Sequence, residues 1–293
     1  MPDGTTTTPA TTRIPSLSML LEDGGKAYLA ELYARTIENV QKNTVSDRIK
    51  NRDLSGDPVS GTVEAKRFAN AEAKDYGTAR KNGKGDAVKI RPVVIAIDQD
   101  KEFVEELENK DVRLLGVDGV LERRAANHVL RMSALLDREF FRVAGESATE
   151  TEIPADSTIE DELETLIQAC ETTENDYVDG VPRSMMNLVL SPAKYGKIRT
   201  QLDKTSSFGG SSQDEEFVMW HGVKAFSSTH LPTGVSELVM VDGAVAQPVM
   251  ADQYSAEKVN LSNAIAVELF FHYGTKAVTP DLIFKPKFVS GQT

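Results

Sequence analysis

From Leu20 onward, apolar residues return at helical spacing. Leu21, Tyr28, Leu32, Ile37 and Val40 form a rough stripe, which predicts a helix ending near Asn43. The period then changes. Val59, Gly61, Val63 and Ala65 alternate with polar residues, and Val88 and Ile90 alternate with Lys89 and Arg91. Period-two alternation on both sides of a glycine-rich segment predicts a long β-hairpin. Its glycines supply the positive φ angles of the turn. Pro92 has no N–H to give to a ladder, so its arm is expected at a sheet edge or a bend. An acidic helix is expected from Gln99 to Asn109. The most regular pattern comes next: Val117, Leu121, Ala125, His128, Met132, Leu135 and Val143 share one face, while Arg123, Asn127, Arg131, Arg138 and Arg142 share another. This predicts an amphipathic helix from Val117 to Ala144, about 42 Å long.

Residues 146–180 hold twelve Asp and Glu and no Lys or Arg. Within them STIEDELETLIQACE has an N-cap serine and helical spacing. A solvated acidic face, or one turned toward a polyanion to keep it mobile, is the expectation there. The carboxylates lack the spacing of a calcium loop. After this run the chain alternates. SMMNLVLS reads as a strand and PAKYGKIRTQLDK as a helix with Pro192 in its first turn. TSSFGGSSQDEE reads as a loop. FVMWHGVKAFSST, with Trp220-His221 inside it, and ELVMVDG with AVAQPVM read as strands. AIAVELFFHYGTKAVTPDLIFKPKF reads as two strands joined at Tyr273-Gly274. The sum is a mixed α+β chain without internal repeats or heptads.

Composition narrows the function. The chain has 293 residues, enough for two lobes, and a net charge of −12. Such a charge argues against coating nucleic acid by counterion release. No apolar run is long enough to cross a bilayer. The opening MPDGTTTTPATTRIPSLSM has neither a basic n-region nor an apolar h-region, so it does not read as a signal peptide. It is expected to be disordered, or ordered only on a partner. The one cysteine, Cys170, lies on the expected acidic helix and reads as a buried small hydrophobe. His128, His221, His230 and His272 show no metal-ligand spacing. His128, on the apolar stripe, reads as a core or hydrogen-bonded histidine. No GxSxG, HExxH or dinucleotide fingerprint occurs.

One segment looks at first like a phosphate loop. YGTARKNGKGDAVKIR, residues 76–91, holds three glycines and five basic residues. A P-loop reads GxxxxGK[ST] before a helix. Here five residues separate Gly77 from Gly83, Gly85 stands where the hydroxyl belongs, and a strand pattern follows. The nucleotide reading fails on each point. The wider segment, Thr62 to Arg91, carries Lys66, Arg67, Lys74, Arg80, Lys81, Lys84, Lys89 and Arg91 against Glu64, Glu72, Asp75 and Asp86. That leaves +4 on the hairpin and −16 on the rest. A two-stranded arm is marginal alone in water, so it should lie on something. The charge contrast points to an acidic surface on another copy, where complementarity steers and registers assembly.

This order of elements resembles the major capsid proteins of tailed bacteriophages, the HK97-like fold. VEAKRFANAEAKDYGTARKNGKGDAVKIRPVVIAID looks like the family's extended loop, the E-loop. DVRLLGVDGVLERRAANHVLRMSALLDREFFRVA looks like the entry into the spine helix of the peripheral (P) domain. NLVLSPAKYGKIRT looks like the axial (A) domain, and NAIAVELFFHYGTKAVTPDLIF like the closing P-domain strands. The resemblance implies an N-terminal arm and helix over 1–44, an E-loop over 45–98, a P domain over 99–154 and 251–293, and an A domain over 155–250.

It further implies a structural protein without catalytic residues, cofactor or metal. Copies would join as pentamers and hexamers of an icosahedral head enclosing double-stranded DNA, without sequence-specific binding and without a membrane. The eight basic residues of the hairpin would contact neighbouring subunits. Partners would be a scaffolding protein, a portal and decoration proteins; the place would be the virion, after assembly in the bacterial host cytoplasm. Only about forty residues precede the hairpin, so the scaffolding protein is expected to be a separate chain. No feature selects a lysine for an inter-subunit cross-link. The same fold builds encapsulin-type nanocompartments, which is the first alternative; a two-lobed α+β enzyme or ligand-binding protein is the second.

Overall fold

The computed structural model describes residue 14, residues 16–205 and residues 219–289. The threonine-rich opening and most of the loop expected at 205–216 lie outside the described residues. The chain divides into two compact units. One gathers the residues up to Asn43, Gln99–Ser133 and Val249–His272; the other gathers Thr44–Asp98, Ala134–Pro248 and the residues from Tyr273 on.

In the first unit a 3-10 turn, Leu17–Leu21, leads into the helix Asp23–Asn43. Its stripe buries Tyr28, Leu29 and Leu32 against Val117, Leu121 and Ala125 of the long helix Gly116–Ser147 and against Ile265, Val267 and Leu269 of the strand Ile265–Tyr273. The acidic helix expected at Gln99 to Asn109 is instead a strand, Gln99–Leu107, paired with Ile265–Tyr273. Its acids masked a period of two. Phe103, Glu105 and Leu107 turn inward while Val104 and Glu106 face solvent. Phe103 stacks on Phe271, with ring centroids 5.6 Å apart, and on His128 at 4.6 Å. His128 is buried and shares a 2.8 Å hydrogen bond with the Tyr254 hydroxyl, as a core histidine should.

The second unit is built on a six-stranded sheet. Its order is Thr149–Pro154, Ile283–Val289, Glu237–Val241, Met186–Leu190, Val223–Ser227 and Met219–Trp220. The first two strands pair in parallel, as do Met186–Leu190 and Val223–Ser227; the other pairs are antiparallel. Met186–Leu190 and Glu237–Val241 are buried at every position, because both sheet faces are covered. Leu188, Leu190 and Val239 meet Leu163, Leu166 and Cys170 of the helix Ile159–Glu171. Val189, Leu238 and Met240 meet Phe140, Phe141 and Ala144 from the end of the long helix.

Two details differ from the sequence reading. The closing strands are not joined as a pair at Tyr273-Gly274. Ile265–Tyr273 belongs to a four-stranded sheet, and Ile283–Val289 enters the six-stranded sheet after a 3-10 turn at Pro280–Leu282. His221 is not within a strand. Trp220 pairs with Val223, so His221 and Gly222, with φ of 45° and 88°, form the two-residue turn between them. Among the described residues no helix is long and apolar enough to cross a membrane.

Candidate assembly arm

The hairpin predicted by alternation is present. Thr62–Phe68 pairs antiparallel with Ile90–Ala96, in the register Val63↔Ile95, Ala65↔Val93 and Arg67↔Arg91. Leu54–Ser55 adds a third, short strand on the other side of Thr62–Phe68. Pro92 therefore lies in an edge strand, where its missing N–H costs nothing. One face roots the hairpin: Val63, Ala65 and Ile95 are buried with Ala246 and Val278. At Gly274 the backbone comes so close to Ala96 that a Cβ would sit 1.8 Å from the Ala96 carbonyl oxygen. The Lys276 ammonium donates to the Val94 carbonyl at 2.8 Å.

The tip is not the tight turn that the glycines suggested. Residues 69–89 form a long excursion with a short helical turn, Thr78–Asn82. Gly77 and Gly83 flank that turn with φ of 92° and 69°, so their left-handed geometry begins and ends a helical turn instead of closing a β-turn. Every residue from Ala79 to Pro92 is exposed.

The eight basic residues separate into three groups. Lys66, Arg80, Lys81, Lys84, Lys89 and Arg91 are exposed and make no ion pair among the described residues. Lys74 bridges the two sides of the excursion, donating to both Asp86 oxygens at 2.6 and 2.7 Å. The hydrogen bond with Asp86 raises the Lys74 pKa above its ordinary value. Arg67 turns inward. Its guanidinium donates to the two Asp281 oxygens at 2.6 and 2.5 Å and lies 4.2 Å from the centre of the Tyr177 ring. Burial opposes the Asp281 charge, but the hydrogen bonds from Arg67 and Asn175 outweigh it and hold the carboxyl below its usual range.

Charge counting missed the apolar part of this surface. Phe68, Ile90 and Val94 are 52%, 48% and 45% exposed, and Tyr76 and Val88 are more exposed still. Phe68 and Ile90 stand opposite each other, with Pro92 and Val94 along the same outward face. Alternation held the signal: residues 64, 66 and 68 oppose the buried positions 63 and 65. Asp281, Asn175 and Tyr177 carried no local signal at all.

Other candidate chemistry resolves into structure. Burial pushes the Cys170 thiol up to about 12, so it is a core side chain. Several of the acids in residues 146–180 have basic partners elsewhere in the chain. Arg183 reaches Glu164 at 2.6 Å and Glu171 at 3.0 Å; Lys285 and Lys287 lie near Glu150, and Lys194 pairs with Glu162. Among the described residues no group of three or more His, Cys, Asp or Glu is placed to hold a metal ion.

No family profile matches the sequence, and no curated protein matches it. Solved structures do match in fold. A chain from Mycobacterium phage Che8 superposes with a TM-score of 0.61 at 18% identity, over 85% of this chain and 93% of that one. The capsid structure of cyanophage P-SCSP1u gives 0.59 at 15% identity, over 83% and 86%. The virus-like particle from Pyrococcus furiosus gives 0.54 at 11% identity, over 88% and 98%. The class is thereby defined: an α+β chain with the HK97-like fold of capsid proteins.

Proposed function

We propose that this chain is a shell subunit, the major capsid protein of a tailed bacteriophage. The observation that carries the reading is the extent of the likeness. The match to the P-SCSP1u capsid chain covers 83% of this chain and 86% of that one, so it takes in the architecture as a whole and not one shared motif. In this reading residues 1–44 are the N-terminal arm, 45–98 the E-loop, 99–154 with 251–293 the P domain, and 155–250 the A domain. Copies assemble as pentamers and hexamers of an icosahedral head around double-stranded DNA. The cations that make no ion pair among the described residues then meet acids of the next subunit. A scaffolding protein, a portal and decoration proteins complete the partners; assembly takes place in the host cytoplasm and the product is the virion. The role is structural and includes no catalytic step.

Negative-stain electron microscopy of the purified chain tests this. Shells, tubes or capsomer rings are the expected products; a monodisperse monomer under all assembly conditions refutes the reading. The likeness to the Pyrococcus furiosus particle favours a second reading, a nanocompartment shell. Nuclease-protected duplex DNA inside the particles supports the phage head, and protein cargo supports the compartment.

A further inference from the structure

We propose that Arg67, Asn175, Tyr177 and Asp281 form a latch at the base of the arm, and that this latch positions the tip for docking. Its consequence for assembly rests on the shell reading; the latch itself rests on geometry within the second unit.

Among the described residues, polar contact with the rest of the chain runs out along the arm. Ala69 N–H still bonds the Lys89 carbonyl at 3.0 Å, and Asn70 N–H bonds the Asp176 carbonyl at 2.9 Å. The Asn70 carboxamide also lies 2.9 Å from the Tyr177 carbonyl oxygen and 3.2 Å from the Val178 nitrogen. From Ala71 to Val88 the described hydrogen bonds and ion pairs join arm residues only to one another, as in Lys74–Asp86, Lys74–Glu72 and Thr78–Asp75. A two-stranded ribbon twists and bends readily. The direction of the tip is therefore decided by whatever grips its last attached residues.

Arg67 is placed to do this. Val63, Ala65 and Arg67 share the inward face of their strand. The first two are buried apolar anchors. At the third position, where the pattern calls for another apolar residue, stands an arginine. Two separate segments converge on it. Asp281, in the turn Pro280–Leu282, takes both ends of its planar fork. Tyr177 lies against its face, and Asn175 donates to Asp281 at 2.7 Å; both belong to the small hairpin of the strands Glu174–Asn175 and Val178–Asp179. The Arg67 side chain is only 10% exposed and that of Asp281 31%, so the pair is partly shielded from solvent. A hydrophobic anchor resists separation but tolerates rotation. A bidentate, stacked guanidinium fixes an angle, and lysine has no equivalent.

The test measures direction separately from stability. Spin labels are placed on the full chain at Ala79→Cys on the tip and Glu160→Cys on the acidic helix; both positions are exposed. Cys170 is buried and its thiol is poorly ionised, so it is not labelled. Distances are read on unassembled subunits by double electron–electron resonance. Arg67→Ala should widen the distance distribution about twofold, with Arg67→Lys between it and the parent. The exchange Arg67→Asp with Asp281→Arg should narrow it again. Light scattering should show assembly about tenfold slower in Arg67→Ala, equivalent to about 1.4 kcal/mol. Should Arg67→Ala not fold, Asp281→Asn carries the same expectation. An unchanged width overturns the latch; a widened distribution with normal assembly overturns its positioning role. If the parent builds no shell, the shell reading fails, and the width comparison still decides the latch.

Discussion

Replacing Gly274 by alanine adds one methyl group at the point where the hairpin is rooted. That Cβ would lie 1.8 Å from the Ala96 carbonyl oxygen, 2.7 Å from its carbon and 3.2 Å from the Ile97 Cα. A carbon and an oxygen in contact stay about 3.3 Å apart, so something must move by about 1.5 Å. The obstacle is backbone at the end of the paired strand Ile90–Ala96, and no rotamer change relieves it. Gly274 does not have a positive φ, so steric crowding is the whole effect. Overpacking of this kind costs about 3 kcal/mol. Gly196, exposed in the helix Pro192–Thr205, supplies the control, because nothing lies within 4 Å of an added Cβ there. Gly196→Ala should stabilise the chain by about 0.5–1 kcal/mol through helix propensity. Urea unfolding of the unassembled subunit, followed by circular dichroism, should thus move in opposite directions for the same chemical change. Assembly of Gly274→Ala should be impaired as well, since a shift at the root of a strand about 20 Å long displaces its far end. A Gly274→Ala protein as stable as its parent would refute the close approach and with it this account of the root.

Three further outcomes are expected. Lys81→Glu with Lys84→Glu should slow assembly most at about 0.01 M salt, where the Debye length is about 30 Å, and progressively less as salt rises; an absence of effect at every ionic strength removes the electrostatic part of the docking claim. Glu237, fully buried, shares Lys194 with Glu162 and accepts a 2.6 Å hydrogen bond from Ser236. Burial first and the neighbouring Glu162 second raise its pKa above the ordinary value of 4.5. The folded chain thus holds this proton more tightly than the unfolded chain, and its stability falls as pH climbs from the unfolded value through the raised one. Relative to Glu237→Gln, the parent should lose at least about 1.4 kcal/mol between about pH 5 and about pH 8; parallel pH profiles for the two proteins would end that assignment. The Cys170 thiol of the folded chain should react with a disulfide reagent at about pH 8 only as fast as the chain opens, and a burst within seconds would show that it is not buried.

Much of the architecture was legible because it is written in periods. The stripe from Leu21 to Val40, the long stripe from Val117 and the alternation at Val63 and Ala65 each found their element. Gln99–Leu107 was misread because its inward residues, Phe103, Glu105 and Leu107, include a carboxylate. Glu105 is held in place by Arg124 and is therefore tolerated on an inward face. The tip was half legible. TARKN favours a helix, but two glycines around five residues also describe a loop, and only their φ angles choose between the two. The two closing strands could not be separated from sequence, because the decision lies in which sheet each one joins.

The arm shows where charge counting stops. Arg67 and Arg91 are directly opposite in the register and have the same formal charge, yet one is latched to an acid 214 positions away and the other is exposed. Removing the pairs Arg67–Asp281 and Lys74–Asp86 leaves six cations on the hairpin against Glu64, Glu72 and Asp75. In the shell reading the charge left for a neighbour falls from +4 to +3, and it is now attached to named residues outside the latch. Beside those cations stand Phe68, Ile90 and Val94, each about half exposed on one sheet face. The two contributions respond oppositely to salt: ion pairs weaken as screening grows, while apolar burial is insensitive or strengthens. The parent should therefore still assemble at high salt, and the doubly reversed tip should approach it there. Phe68→Ser with Ile90→Ser should instead weaken assembly at every ionic strength. If both variants shared one salt dependence, the face would not be divided between charge and apolar contact in this way.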